Sequence, residues 1–446
     1  MLQGKSLFGD FIKFIIPSVM AQWVYTLYTM VDGMFVAKGV SEIALTAVNI
    51  SFPYIAFLFS LSLMFAVGTS TISAIYMGKG ENHKASEVFT QNIVVQIILS
   101  IIIVVAIMMN LEKLALFLGA PDEETLNYVV HYLRFIVPFS LAFLLSYSFE
   151  ILLKTDGFPK KAMVIVIVGA VENCILDWLF VMVLHKGVQG AAFATSISQV
   201  TIIFLYLHHF LSGKGVLRFV KFKFDLGLLG REIRNGFSSG ITELSSGLVT
   251  FVFNQVILTY LTRDALVSYT VVSYVNSIVV LSATGIAQGS QPLISFYYGQ
   301  KNLTNCKKLL KYNVLTAGIF CIAAFAIGMV IAGPLVGVYV RPELAELRTY
   351  SVMVFKTFII SFLLVGFNVA ISGYFTSVEQ AVPALIISAG RGFVTLIGSL
   401  LLLANIFGGD AIWWAPTVSE AICLVVSLVL FVVYCKKNKF WRGEIV

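Results

Sequence analysis

"YTLYTMVDGMFVAK", Tyr25–Lys38, carries one carboxylate, Asp32, inside a long apolar run. A charge near the bilayer centre costs roughly 2.5–3.5 kcal/mol on insertion scales. The run around Asp32 is one of twelve. Apolar segments fall at roughly 11–36, 46–77, 88–110, 127–153, 162–184, 190–211, 233–261, 266–297, 312–338, 350–375, 382–407 and 411–435. Each is long enough to cross a hydrocarbon layer as a helix. Composition agrees: the 446 residues are 59% hydrophobic and 12% charged, against about 25% charged in a soluble domain. The pattern predicts an all-α integral membrane protein of twelve transmembrane helices with no separate soluble domain. The N-terminus "MLQGKSLFGDFIKF" shows no small-residue cleavage site, so no cleaved signal is expected.

Loop charge sets the expected orientation. With the N-terminus in the cytosol, 21 of the 30 basic residues fall in inside segments and six in outside loops (Lys38, Lys113, Lys186, Arg263, Arg341 and Arg348). Arg134, Lys356 and Arg391 lie in or at helices. This asymmetry predicts a multi-pass cell-membrane protein, lipid-embedded, with both termini cytoplasmic. It also accounts for the net charge of +7, so no nucleic-acid partner is expected. The longest basic connection, "SGKGVLRFVKFKFDLGLLG" (Ser212–Gly230), alternates Lys and Phe as a membrane-surface strip would. It divides the chain into a first six-helix lobe (1–211), a basic linker (212–230), and a second lobe with a short basic tail (231–446).

Other chemistries find little footing. "GKS" at Gly4–Ser6 lacks the upstream glycine and strand of a nucleotide-binding loop. Cys174, Cys306, Cys321, Cys423 and Cys435 show no CxxC spacing and read as small core residues. The histidines form no HExxH, and His208 and His209 are adjacent, pointing to different helix faces. No cofactor or protein-bound transition metal is expected.

The second half repeats the first. Shifted by 221 residues, Gly68, Tyr76 and Gly78 meet Gly289, Tyr297 and Gly299; later, "GVQGAAFATSIS" (Gly187–Ser198) meets "GDAIWWAPTVSE" (Gly409–Glu420) at a shift of 222. Six crossings per half make this a parallel repeat, an arrangement that suits a transporter with a cavity between two bundles.

Within the first repeat, Tyr25, Tyr28, Thr29 and Asp32 share a helix face, with Gln22 near the same stripe. Lipid would not tolerate that stripe, so it should face the bundle interior. Pro17, upstream on the same helix, can break the hydrogen-bond ladder and let the helix bend. A second intramembrane carboxylate appears in "VENCILDWLF" (Val171–Phe180), where Asn173 and Asp177 are four residues apart on one face. The next segment offers Thr195, with Gln199 a turn on. Two carboxylates, an amide oxygen and a hydroxyl suit a hard cation such as Na⁺. They equally suit a proton, because two buried carboxylates cannot both ionise cheaply. Unrelated interhelical hydrogen bonds are the third possibility.

These pieces, "P…MVDGMFV" in the first helix, "GKGENHKASE" (Gly78–Glu87), and "NCILDWLF" followed by "GVQGAAFAT", resemble the MATE (multidrug and toxic compound extrusion) family, nearest its MepA-like and DinF-like bacterial branches. The resemblance covers nearly the whole chain. It implies two six-helix lobes in a V, alternating between inward-open and outward-open states. It also implies a coupling-cation site at Asp32, Asn173, Asp177 and Thr195, with helix bending at Pro17. The NorM-like carboxylate of helix 7 has no clear match; Ser246 aligns near it and Glu243 lies about a turn earlier. Glu243 either lines a substrate cavity or makes an interhelical hydrogen bond. Tyr25, Tyr28, Phe253 and Asn254 are nominated for the substrate cavity by their place on the first helix of each repeat, with Gln22 beside them. Glu150 is expected to pair with Lys154, and Glu172 is turned away from Asn173. Arg391 and Lys356 either pair with cavity carboxylates or, for Lys356, snorkel. Glu420 is expected to be structural.

The reading is a cation-coupled (Na⁺ or H⁺) efflux antiporter for bulky amphipathic, often cationic organic molecules, acting as a monomer and not an enzyme. A lipid-linked-precursor flippase of the wider superfamily is the alternative. An intramembrane aspartyl enzyme is disfavoured by the lack of a GxGD motif. The orientation is checked by cysteine labelling in a Cys-free background. Position 186 should react from outside and position 221 only from inside; the reverse pattern would overturn the topology.

Overall fold

The computed structural model describes residues 6–40, 42–120 and 122–437. The basic residues Lys5, Lys439 and Arg442, and Gly4 of the "GKS" stretch, lie outside them. Among the described residues twelve helical spans are long and apolar enough to cross a membrane. We number them α1 (Leu7–Gly39), α2 (Glu42–Gly78), α3 (Asn82–Met108), α4 (Glu123–Thr155), α5 (Pro159–Val183), α6 (Gly187–Leu211), α7 (Leu226–Tyr260), α8 (Arg263–Gly299), α9 (Leu303–Tyr339), α10 (Ala345–Ser377), α11 (Ala381–Phe407) and α12 (Gly409–Lys437).

All twelve expected segments are helical, but several run further than their apolar stretch. α9 begins at Leu303, not near 312, because "LTNCKKLLKYN" is polar yet helix-forming. Hydropathy marks the part that sits in hydrocarbon; backbone hydrogen bonding continues beyond it. At 37 residues α9 spans about 55 Å, well over the ~30 Å hydrocarbon layer. Large apolar side chains such as Phe117, Val330 and Val338 are exposed, as a lipid-facing surface requires.

The repeat is built into the secondary structure. In α4, the helix Glu123–Ile136, the 3₁₀ turn Val137–Phe139 and the helix Ser140–Thr155 recur in α10 as Ala345–Phe358, Ile359–Ser361 and Phe362–Ser377. Every boundary is displaced by the same 222 residues. α5 and α11 each contain a wider π turn, but at different places: Trp178–Val183 follows Asp177, whereas Gly390–Val394 contains Arg391.

The chain forms two compact units. One comprises Met20–Gly240; the other takes residues 6–19 together with 241–437. The opening turns of α1 therefore group with the second unit and those of α7 with the first. Glycines make both associations possible. In the first unit a Cβ on Gly236 of α7 would lie 1.7 Å from the Met64 carbonyl oxygen of α2, and one on Gly68 would lie 2.1 Å from that of Glu232. In the second, Gly289 of α8, the repeat partner of Gly68, packs on Ile15 and Ser18 of α1. Small residues of this kind let membrane helices approach backbone to backbone.

The linker is held as tightly as a helix. The Asp156 carboxylate, fully buried at the end of α4, accepts from the Val216 and Leu217 amides (2.7 and 3.0 Å) and contacts His209 Nε2 at 2.9 Å. On α3, Ser86 and Thr90 hydroxyls donate to the Val216 and Arg218 carbonyls, and Gln91 exchanges two bonds with the Asp225 backbone. Side chains thus supply the partners that an extended segment cannot supply for itself.

Gly236→Ala should lower the thermal unfolding midpoint, since overpacking costs about 1–3 kcal/mol. Gly247→Ala, on the same helix with nothing within 4 Å of the new carbon, should leave the midpoint unchanged or raise it. Equal effects would rule out the close-approach role.

Candidate functional site

The first unit gathers the predicted polar residues around α1, α5 and α6. Asp177 ends the α-helical part of α5 and is 0% exposed; Asn173, one turn earlier, is 1% exposed. The π turn begins at the next residue, Trp178. Such turns recur at functional sites, where they re-aim a side chain. From α1, the Asp32 carboxyl comes within hydrogen-bonding reach of the Asp177 carboxyl. Asn173 Nδ2 donates to Thr195 Oγ1 on α6 at 3.3 Å, and Thr195 in turn donates to the Ala191 carbonyl at 3.1 Å. The three helices thus bring Asp32, Asn173, Asp177 and Thr195 near one another.

What the cluster lacks is donors. Asp32 Oδ1, Asn173 Oδ1 and both Asp177 carboxylate oxygens are buried without a hydrogen-bond partner among the described residues. Ionised carboxylates only accept, so two of them side by side cannot satisfy each other. At an effective dielectric of 20, two unit charges 4 Å apart repel by about 4 kcal/mol. A shared proton or a bridging monovalent cation relieves that repulsion. Among the described residues no three His, Cys, Asp or Glu side chains cluster as a transition-metal cage.

A cavity of about 50 Å³ opens beside the cluster, lined by Tyr25, Tyr28, Ser146, Glu150, Asn173, Gln199 and Tyr206 among others. One water needs ~10–15 Å³ of such space. The cavity accepts a few waters or a small ion; drug-sized ligands occupy pockets of ~300–1,000 Å³. Tyr25 and Tyr28 meet edge to face at 5.2 Å, and Ser146 donates to Gln199 at 2.6 Å.

The other expected residues fall as follows. Thr29, expected on the interior stripe, is exposed, and its hydroxyl folds back onto the Tyr25 and Thr26 carbonyls of its own helix. Gln22 is buried in α1. Pro17 lies inside α1, which continues unbroken through it. Glu150 pairs with Lys154, and Glu172 accepts from Thr201 (3.0 Å). Lys356 is exposed. Phe253, nominated for a substrate cavity, is 1% exposed and stacks on Tyr269 at 4.8 Å within the second unit's apolar core. An aromatic that fills a core cannot also line an open cavity. Asn254 and Glu243 are half-buried.

Sequence reasoning missed Glu232. It is fully buried on α7 and accepts from Thr69 at 3.3 Å, with its other oxygen unpartnered. The run "REIR" (Arg231–Arg234), at the start of the second lobe, hid it between two arginines. Tyr206, with an unpartnered buried hydroxyl, was equally hidden among apolar neighbours.

With this geometry in view, the comparisons agree. The MatE family profile matches residues 17–179 and 239–401, once per repeat. The chain belongs to the MatE family, a family of transporters and not of enzymes. It is 24% identical over 443 residues to the multidrug export protein MepA of Staphylococcus haemolyticus, covering 98% of this chain and 95% of that one. The fold matches an outward-facing multidrug resistance MATE transporter of the MOP superfamily with a TM-score of 0.90 at 21% identity, covering 96% of this chain and 95% of that one. A MATE protein crystallised with MaL6 matches equally well, with a TM-score of 0.90 at 21% identity over 96% of each chain.

Asp32→Asn and Asp177→Asn should each cut gradient-driven dye efflux by at least an order of magnitude at unchanged expression, because removing an intramembrane charge eases insertion. Glu172→Gln, outside the cluster, should pump normally. Normal efflux by both aspartate variants would remove the site from the mechanism.

Proposed function

We propose that the chain is a cation-coupled multidrug exporter, in which inward movement of Na⁺ or H⁺ through the Asp32–Asn173–Asp177–Thr195 cluster drives export of amphipathic, often cationic organic compounds. The observation that carries the proposal is the meeting of two carboxylates, from α1 and α5, whose buried oxygens Asp32 Oδ1, Asp177 Oδ1 and Asp177 Oδ2 have no hydrogen-bond partner among the described residues. Full-length similarity to a multidrug export protein supports the substrate class.

The energetics are of the right size. Moving a two-state equilibrium from 1:99 to 99:1 requires about 5.5 kcal/mol of differential binding. Relief of carboxylate repulsion, about 4 kcal/mol by the figure above, is most of that. A ligand acts on the equilibrium only through such a difference. Pro17 supplies a compliant point: its ring nitrogen cannot bond the Lys13 carbonyl. It lies just before Val19–Met20, where α1 passes from one compact unit to the other. Cation binding would favour one form of α1 around that point, and substrate the other.

The cavity beside the cluster suits the ion and not a bulky organic molecule. Substrate would therefore occupy separate space, for which Gln22 and Glu243 remain candidates.

The test is dye efflux from proteoliposomes under separately imposed Na⁺ and H⁺ gradients, with Na⁺ titrated at several pH values. A shared site requires the two ions to compete: apparent Na⁺ affinity should fall as pH is lowered. Na⁺ affinity flat with pH would exclude the shared site, and a response to pH alone would identify H⁺ as the coupling ion.

A further inference from the structure

At positions that the repeat makes equivalent to the lining of the first unit's cavity, the second unit holds an ion pair. Under the 222-residue displacement that maps α4 onto α10, the cavity-lining residues Ser146, Gly169 and Ser198 correspond to Asn368, Arg391 and Glu420. Arg391 Nε donates to Glu420 Oε1 at 2.6 Å. Asn368 Nδ2 donates to Glu420 Oε2 at 2.7 Å and to its backbone carbonyl at 2.9 Å, while Ser427 donates to Asn368 Oδ1 at 2.9 Å. Asn368 and Ser427 are fully buried and Glu420 is 8% exposed.

The two halves solve one problem in opposite ways. In the first, buried carboxylate oxygens are left without donors. In the second, both oxygens of the buried carboxylate are taken, one of them by a permanent charge. Two positions of the first unit's polar cluster also differ: the carboxylate Asp177 corresponds to Ser399 and the amide Asn173 to Thr395. The backbone is adapted to the guanidinium. The π turn Gly390–Val394 surrounds Arg391, and Thr395 Oγ1 takes the Gly390 carbonyl at 2.8 Å. The equivalent stretch of α5, around Gly169, is regular α-helix.

We propose that Arg391 is a tethered cation filling the second unit's counterpart of the first unit's cavity, so that this half is permanently in its cation-occupied form. Arg cannot release its proton, and the charge cannot diffuse away. Only the first unit then responds to external cations. The prediction specific to this idea is that deleting the guanidinium creates a cation site at Glu420. Loss of a hydrogen bond alone would create none.

The experiment uses purified full-length protein in an Asp32→Asn/Asp177→Asn background, which silences the first cluster and makes the result independent of the coupling proposal. Thermal unfolding midpoints are measured in choline, sodium and low-millimolar guanidinium chlorides. Arg391→Gly, which installs the first half's residue, should unfold at lower temperature in choline. It should recover with a saturable shift of a few degrees in sodium or guanidinium, as binding to the folded state demands. Arg391→Gly/Glu420→Ser, which removes both charges, should not respond, nor should the parent. If Arg391→Gly is too unstable in choline, recovery of monodisperse protein only when sodium or guanidinium is present during purification gives the same answer. A variant indifferent to both cations, or aggregated in all three salts, overturns the proposal. So does a double variant that responds as strongly as the single one.

Discussion

Hydrocarbon offers no hydrogen-bond partner, and every feature of this molecule answers to that. The backbone answers with helices, because each spanning segment must satisfy its own amides and carbonyls. Side chains answer locally. Serine and threonine hydroxyls bond back to carbonyls one turn earlier, as in Ser51, Thr90 and Ser196. Charges answer in pairs, as in Glu150 with Lys154 and Glu420 with Arg391. Against this background the cluster at Asp32, Asn173 and Asp177 stands out because its oxygens are left unanswered. A buried acceptor without a donor costs about 1–3 kcal/mol, more when charged. Four such acceptors fall at one place, whereas others such as Glu232 Oε1 and Tyr206 Oη are scattered, and that concentration is what supports the proposed cation site.

The duplicated scaffold makes that contrast internal to one chain. α4 and α10 repeat the same helix, 3₁₀ turn and helix at one fixed displacement. The polar residues hung on the two copies have nonetheless diverged. Removing one partner of a buried ion pair is expensive, roughly 3–5 kcal/mol, whereas replacing both is often neutral. The carboxylate and the guanidinium of the second half therefore depend on each other energetically. Among the described residues Asp32 Oδ1 and both Asp177 oxygens have no such partner, which in the proposed mechanism leaves the site open to exchange.

Much of this was legible in the sequence. Twelve apolar runs gave twelve helices, because length and apolarity determine what can cross a bilayer. Asn173 and Asp177 read correctly as one face because helical spacing is local. Asp32 and Thr195 joined them in the sequence reading as polar residues of other apolar segments, a set equally open to unrelated hydrogen bonds. Nothing local orders three distant helices, and the family resemblance is what implied a coupling-cation site there. Phe253 misled, because position along a repeat does not say whether an aromatic faces a cavity or fills a core. Glu232 was lost in its basic surroundings; its burial depends on the backbone approach of α7 to α2 through Gly68 and Gly236, which no local pattern shows. The reach of α9 beyond its apolar run was hidden for a related reason, since a polar helical turn and a loop look alike to hydropathy.

In the proposed mechanism size separates the ion from the substrate, and that separation would place the burden of coupling on α1. The cavity beside the carboxylates accommodates a few waters, so a bulky organic molecule cannot compete there by displacement. In that mechanism competition between ion and substrate would be indirect, through a shared element with two arrangements. α1 meets the requirements. It bears Asp32 at the cluster and Tyr25 and Tyr28 on the cavity wall, and it belongs to both compact units. Pro17, whose ring nitrogen cannot donate a backbone hydrogen bond, lies close to the point where it passes between them. In the proposed mechanism no signal has to cross the bundle side chain by side chain. The same rigid rod that loses a repulsion at Asp32 would change its course at the proline, and the substrate would sense only that change.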